Sequence, residues 1–146
     1  MPQGEMMSKY ISRAEFQCRC CGKLPPDCVK GDDGDYPTFY DALFYRFDNL
    51  REAWGKPIVV TSGYRCPTHE YEVSGSRLGP HIWGALAPAL TEQDKPRFVA
   101  LVETTHPEMR MGTNVHPGAV HIHLDCLWLA VPRYTEFQKE GVRWTE

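Results

Sequence analysis

The sequence has no long apolar run and no excess of basic residues. Its apolar stretches are too short to span a bilayer. Lys and Arg total 16 against 19 for Asp and Glu, a formal net charge of −3, and no polybasic run or acidic tail indicates a nucleic-acid partner. The first ten residues lack the apolar segment of a secretory signal. We therefore expect neither a membrane nor a nucleic-acid partner, and a chain that is made soluble, is a mature form, or is exported by another route.

The composition is that of a globular protein. Of the 146 residues, 42% are hydrophobic and 24% are charged, which excludes a disordered chain and allows one ordinary hydrophobic core. We predict a single domain over residues 1–146, with a Cys-containing segment and a turn-rich loop at 1–36 and the core at 37–146. We expect a monomer.

Hydrophobic periodicity predicts two helices and several strands. A helix begins near Pro37 and ends at Gly55, with an apolar stripe at helical spacing, and a second helix spans Thr91 to Thr105. Strands are predicted in "KPIVVTSG" and from about Gly118 to Leu129, and "RYTEFQKEGVRW" is a final strand or short helix. Helices packed on a small, mainly antiparallel sheet define an α+β fold. The stripe of the first helix consists of Phe39, Leu43, Phe44, Phe47, Leu50 and Trp54.

Cysteine is frequent for a domain of this size. Four of the six cysteines lie in "CRCCGKLPPDC", a spacing that can hold a structural zinc ion but lacks the paired CxxC knuckles of a strong zinc motif. Free thiols and a local disulfide are the alternatives. We expect His69, after Cys66, to be structural. The four clustered cysteines are Cys18, Cys20, Cys21 and Cys28.

The late strand carries two histidines in "AVHIHLD". Because side chains two apart in a strand point to the same face, His121 and His123 project together while Val120, Ile122 and Leu124 pack on the other face. Two imidazoles on one face suit a first-row metal ion, most plausibly zinc. An exposed polar face that happens to carry histidine is the alternative, and His81, which follows the Gly/Ser-rich loop "SGSRLGP", favours the metal site.

These segments together resemble the zinc-dependent D-Ala-D-Ala carboxypeptidase family. "VTSGYRCPTHEYEVSGSRLGPHIWGALA", followed by "HPGAVHIHLD", is similar to the peptidoglycan peptidases of that family, which include many phage endolysins. The similarity extends from "ISRAEFQCRC" to the closing "VRW". It implies a fold shared with the signalling domain of hedgehog proteins, a peptidoglycan peptide substrate, and either cytoplasmic synthesis with phage-type release or export.

The resemblance also implies roles for individual residues. His81 and His123 are expected to bind zinc, with His121 as a neighbour that donates a hydrogen bond or shuttles a proton. Arg65 is expected to bind the substrate carboxylate or to steady the oxyanion, as a guanidinium can. Candidate substrate contacts besides Arg65 are Ser62, Tyr64 and His116.

One position departs from the family pattern SxHxxGxAxD. The metal-binding Asp of that pattern is Pro88, which has no donor side chain, and its leading Ser is Gly79. Three alternatives follow: His121 completes a three-histidine site, Glu92 or Asp94 is brought in by a loop shift, or the metal site is lost.

The identity of the general base is also undecided. The resemblance implies an acidic residue shortly before the last histidine, and "NVHPGAVHIH" contains none. Asp125 shares the strand face of His123 and is a candidate base, with an exposed strand-end charge as the alternative. We therefore expect a zinc peptidase acting on peptidoglycan stem peptides, of the D-Ala-D-Ala carboxypeptidase or endolysin type. The alternative is a non-catalytic relative that binds cell-wall peptide or a protein partner.

Overall fold

The computed structural model describes residues 6–22, 24, 35–66, 69, 71–72, 85–113, 122–126 and 141–145, with the backbone alone for 35–41, 144 and 145. The elements with described bounds are, in chain order, α1 Arg13–Phe16, α2 Asp35–Trp54, β1 Val59–Ser62, β2 Ala87–Ala89, α3 Lys95–Thr105, β3 Arg110–Thr113, β4 Ile122–Asp125 and β5 Arg143–Thr145. These helices and small sheets confirm the α+β fold. No helix among the described residues is long and apolar enough to cross a membrane.

Helix α2 is the long amphipathic helix that the apolar stripe predicts. It begins at Asp35, two residues before Pro37, and ends at Trp54. Gly55 follows with φ of 82°, a left-handed conformation that glycine adopts without strain and that commonly terminates helices. The buried side of the described part of the helix carries Leu43, Phe44, Phe47 and Leu50.

Helix α3 begins four residues later than the sequence predicts. Residues 91–94 form a turn in which the Asp94 backbone N–H donates to Thr91 Oγ1 over 3.0 Å. Pro96 lies in the first turn of the helix, where its missing N–H costs nothing. Phe98 and Val102 are completely buried, one turn apart on the face that packs toward the core.

Two small sheets form the β layer. Strands β1 and β2 pair antiparallel, and the second sheet has the order β4-β3-β5, with β3 antiparallel to β4 and parallel to β5. Leu86 and Leu124 join the two sheets through a pair of backbone hydrogen bonds of 2.9 and 2.8 Å. The sequence does not predict strands β2 and β3, because "APA" and "RMGT" are too short to show a period-2 pattern.

The N-terminal segment packs directly on the residues after β1. Helix α1 begins at a capping box in which Ser12 and Glu15 bond each other's backbone, the reciprocal arrangement that satisfies two free N–H groups. Phe16, at its end, is completely buried, and its carbonyl oxygen accepts a 2.7 Å hydrogen bond from the Tyr64 N–H. The segment 6–22 is thus tied to the turn that carries Arg65.

Candidate active site

His123 is held in the middle of β4 by a neighbouring carboxylate. Its side chain is 8% exposed, and its Nε2 lies 2.6 Å from Asp125 Oδ2. The two side chains meet because residues two apart in a strand project from the same face. A carboxylate only accepts hydrogen bonds, so His123 Nε2 donates to Asp125.

Asp125 is anchored in turn by Arg110 on the adjacent strand. Arg110 and Asp125 are directly opposite in the antiparallel register, and Arg110 Nε donates to Asp125 Oδ1 over 2.8 Å. Asp125 is completely buried and Arg110 is 4% exposed. A buried charge requires such a partner, because desolvation of an unpaired carboxylate costs several kcal/mol. The three side chains therefore form a rigid chain from Arg110 through Asp125 to the imidazole.

Pro88 lies on the other side of the sheet from His123. Leu86 pairs with Leu124, so these two side chains share a face. Pro88 lies two residues beyond Leu86 in the extended chain, so strand alternation assigns it to the same face. His123 is next to Leu124 and projects from the opposite face. Pro88 is buried and pairs with Val60 of β1. Pro88 thus has no metal-donor atom, and its side chain does not face His123. His123 itself fits a metal ligand whose ring is oriented by a carboxylate.

Arg65 lies at the end of the turn that follows β1. Gly63 is fully covered by α1, since a Cβ there would lie 2.7 Å from Phe16 Cα, and this close approach fixes the path of the chain into Arg65. Ser62 ends β1 and is partly buried, as is Arg65. Tyr64 is completely buried in the core, where a peptide has no access to its side chain. Tyr64 is therefore not part of the proposed site.

Three of the predicted site residues, His81, His116 and His121, lie outside the described residues. Glu92 and Asp94, the candidate replacement ligands, lie on the turn before α3. Asp94 is bound there to Lys56 at 3.0 Å and to Arg97 at 3.1 Å. Lys56 holds the pKa of Asp94 below its ordinary value through a hydrogen bond. Asp94 is therefore already paired on the surface.

Cys18 and Cys21 form a cluster with Cys66 and His69, which lie far from them in the sequence. The sulfur atoms of Cys18, Cys21 and Cys66 all lie within 4.8 Å of one another, and Cys18 Sγ lies 3.7 Å from His69 Nδ1. Although burial raises the pKa of Cys18, backbone N–H groups aimed at the sulfur, first that of Cys66 at 3.3 Å, lower this pKa to about 6. The sequence signal for this cluster is a spacing that occurs twice, C-x2-C at Cys18 and Cys21 and C-x2-H at Cys66 and His69. Cys28 lies outside the described residues.

A buried histidine oriented by a carboxylate on an α+β scaffold is typical of metal-dependent hydrolases. The chain belongs to the Peptidase M15 family, whose model matches residues 9–125. This match confirms the family resemblance, covers both His123 and the cysteine cluster, and defines the class as a metallopeptidase, typically zinc-dependent, with a peptide substrate. A comparison with curated proteins finds no significant match.

Proposed function

We propose that this protein is a zinc peptidase that hydrolyses the stem peptides of peptidoglycan. The observation that carries this proposal is the buried chain from Arg110 through Asp125 to His123. Metal-binding histidines usually donate their second ring nitrogen to a carboxylate, which sets the tautomer and the ring orientation. The hydrogen bond between His123 Nε2 and Asp125 supports this role for His123, and Nδ1 is the proposed donor atom to zinc.

His81 and His121 are the remaining ligands in this proposal. Strand alternation predicts that His121 shares the face of His123, and His81 follows the family's first-ligand position. Three histidines with one open position are a known ligand set of hydrolytic zinc sites. When bound, zinc lowers the pKa of a coordinated water to about 7 and polarises the peptide carbonyl.

Asp125 is a positioning residue in this scheme. Both of its oxygens accept hydrogen bonds from buried side chains, and the carboxylate is completely enclosed. A general base must reach the proton that it removes, directly or through one water. The enclosed Asp125 is poorly placed to reach such a proton, whereas it contacts His123 directly. We therefore assign Asp125 to holding His123 and not to the general base.

Arg65 is the proposed anion-binding group. A guanidinium offers a planar fork of donors that matches a carboxylate or a developing oxyanion. The C-terminal carboxylate of a stem peptide is such a partner, which favours a D-Ala-D-Ala carboxypeptidase over an enzyme that cuts inside a cross-link. The contact between the preceding turn and α1 fixes the backbone from which the guanidinium extends.

Pro88 favours a second candidate function, a family member that binds cell-wall peptide without cutting it. The family's carboxylate ligand is absent at this position, and the proline faces the opposite side of the sheet from His123. In that case Arg65 would still bind peptide, whereas zinc would bind weakly at His123.

The test is hydrolysis of purified peptidoglycan and of a synthetic stem pentapeptide, with and without a chelator. His123→Ala is compared with His106→Gln, because His106 also contacts a carboxylate, Glu108 at 2.9 Å, but at the end of α3. We expect release of free D-Ala that zinc restores after chelation, that His123→Ala abolishes and that His106→Gln leaves unchanged. Hydrolysis that is insensitive to chelator would contradict the metal mechanism. Peptide binding by calorimetry without any product would support the binding function instead.

A further inference from the structure

Two segments that are distant in sequence bring metal-binding side chains together. The first is the turn Cys18-Arg19-Cys20-Cys21, and the second contributes Cys66 and His69, which are three positions apart. Both have the donor spacing of a zinc knuckle, two ligands separated by two residues. The three sulfur atoms lie within 4.8 Å of one another, and His69 Nδ1 lies 3.7 Å from Cys18 Sγ.

The three sulfurs form the mutually close set, and His69 approaches it through Cys18. The distance between Cys18 and His69 can be compared with the donor spacing around a tetrahedral zinc ion. With Zn–S near 2.3 Å and Zn–N near 2.0 Å, two thiolates lie about 3.8 Å apart, and a thiolate and an imidazole nitrogen about 3.6 Å apart. The 3.7 Å separation of Cys18 and His69 is close to the second value. Within the described part of the chain, Cys18, Cys21 and Cys66 are not joined in a disulfide.

The backbone around the cluster is arranged to support thiolates. The Cys66 N–H donates to Cys18 Sγ over 3.3 Å, and hydrogen bonds from backbone N–H groups orient and stabilise metal-bound sulfur. Gly22, directly after the first turn, has φ of 73° and donates to the Cys18 carbonyl over 2.7 Å. This glycine conformation closes the turn so that Cys18 and Cys21 face the same point.

We propose that Cys18, Cys21, Cys66 and His69 bind one structural zinc ion, distinct from the peptidase site. A set of three thiolates and one imidazole closes the tetrahedron and leaves no position for a water nucleophile, which is the arrangement of structural rather than catalytic zinc. Because no such site exists in the unfolded chain, the binding free energy contributes to folding.

The site joins the N-terminal segment to the turn that carries Arg65. Cys66 is adjacent to Arg65, and the same two segments already meet through the hydrogen bond from Tyr64 to Phe16. Zinc here would close a loop between the two turns and hold the Arg65 backbone against α1. Loss of this zinc is therefore expected to loosen the turn while leaving His123 and its carboxylate in place.

Neighbouring cysteines provide a matched pair of variants. Cys20 and Cys21 are both exposed, but only Cys21 belongs to the proposed ligand set, so Cys21→Ser is compared with Cys20→Ser. The full chain is purified with reductant and without chelator, and zinc is measured by elemental analysis. We expect Cys21→Ser to lose about one zinc equivalent per chain and Cys20→Ser to lose none. Equal zinc content in both variants and the wild type would overturn the proposal.

A measurement on the wild-type chain covers the case in which Cys21→Ser does not fold. The zinc-bound protein is alkylated and the modified cysteines are mapped by mass spectrometry, before and after chelation. Zinc is expected to protect Cys18, Cys21 and Cys66 while Cys20 is modified, and chelation should remove the protection of Cys21. A disulfide from Cys66 to a neighbouring cysteine, or modification of Cys21 that zinc does not change, would contradict the site.

Cobalt substitution separates this site from the peptidase site. Co²⁺ bound by three thiolates gives strong thiolate-to-metal charge-transfer absorption, whereas Co²⁺ bound by histidines alone does not. We expect this absorption to persist in His123→Ala and to be lost in Cys21→Ser. Loss of the peptidase metal with the thiolate absorption unchanged would therefore leave the present proposal standing.

Discussion

Arg110 and Asp125 lie directly opposite each other on β3 and β4, joined by a 2.8 Å hydrogen bond from Nε to Oδ1. Both side chains are buried, and the remaining Asp125 oxygen accepts from His123. The pair therefore couples the stability of the sheet to the orientation of His123, the one proposed ligand of the catalytic zinc among the described residues.

Asp125→Asn is expected to weaken both zinc binding and folding. The amide keeps the shape of the carboxylate but not its charge, so Arg110 is left buried without its counter-ion and His123 loses its charged acceptor. We expect zinc affinity to fall about 10- to 100-fold and the free energy of unfolding to fall by about 3–5 kcal/mol. Competition titration and urea unfolding measure the two. Asp94→Asn, at an exposed ion pair, is the control and should change neither strongly.

Pro88→Asp is expected to destabilise the protein without improving zinc binding. The new carboxylate would be buried on the face of Leu86 and Leu124, and burial of a charge among apolar side chains costs several kcal/mol or protonates the group. Thermal unfolding and zinc titration are compared with the wild type. A gain of zinc affinity would show that position 88 reaches His123 and would contradict the strand faces described above.

Gly63→Ala is expected to disrupt the contact between α1 and the Arg65 turn. Its Cβ would lie 2.7 Å from the backbone of Phe16, a contact that requires backbone movement and costs about 1–3 kcal/mol. Hydrogen exchange should show faster exchange of the Tyr64 amide. Gly55→Ala serves as the comparison, since it meets open space and strains only its own φ. Its Tyr64 amide should exchange at the wild-type rate.

Glu108 is expected to make stability depend on acidic pH. Burial raises its pKa, but a 2.7 Å hydrogen bond from Arg46, helped by the Glu108 backbone and by His106, outweighs burial and lowers the pKa below the ordinary 4.5. The folded state thus favours the carboxylate, so its stabilisation is complete above about 4.5 and is lost as pH falls through the lower folded pKa. Glu108→Gln should be less stable by about 1–2 kcal/mol at neutral pH.

Urea unfolding at a series of pH values tests this dependence. The difference in stability between the wild type and Glu108→Gln should narrow as the pH is lowered below 4.5, because the wild-type side chain becomes protonated there. A difference that stays constant across this range would show that the Arg46 ion pair does not contribute.

Cys126 is expected to be inert toward thiol reagents in the folded protein. It is completely buried, and burial raises its pKa far above the ordinary 9.0, so thiolate is scarce and access is blocked. Cys20 is exposed and should be alkylated without unfolding. Labelling of Cys126 should require denaturant, and rapid labelling under native conditions would show that the core opens around β4.

Local sequence patterns predict α2, α3 and β1, and they predict which residues share the strand face of His123. The apolar stripe of α2 repeats over many turns, Gly55 and Pro96 mark ends that depend on their own backbone chemistry, and strand alternation is a local property. The motifs "SGYRCP" and "HIH" also indicated the family that the match over residues 9–125 confirms. Short strands such as β2 and β3 carry too few residues for a period to appear.

The tertiary structure alone decided what these residues meet. The sequence showed that Pro88 lacks a donor, but its face depends on the pairing of Leu86 with Leu124, and a one-residue change of register would reverse it. Asp125 is enclosed because Arg110 arrives opposite it on another strand. Cys18 and Cys21 lie close to Cys66 and His69 because α1 packs on the turn after β1. Spacing along the chain records local geometry, whereas these contacts arise only when distant segments close on one core.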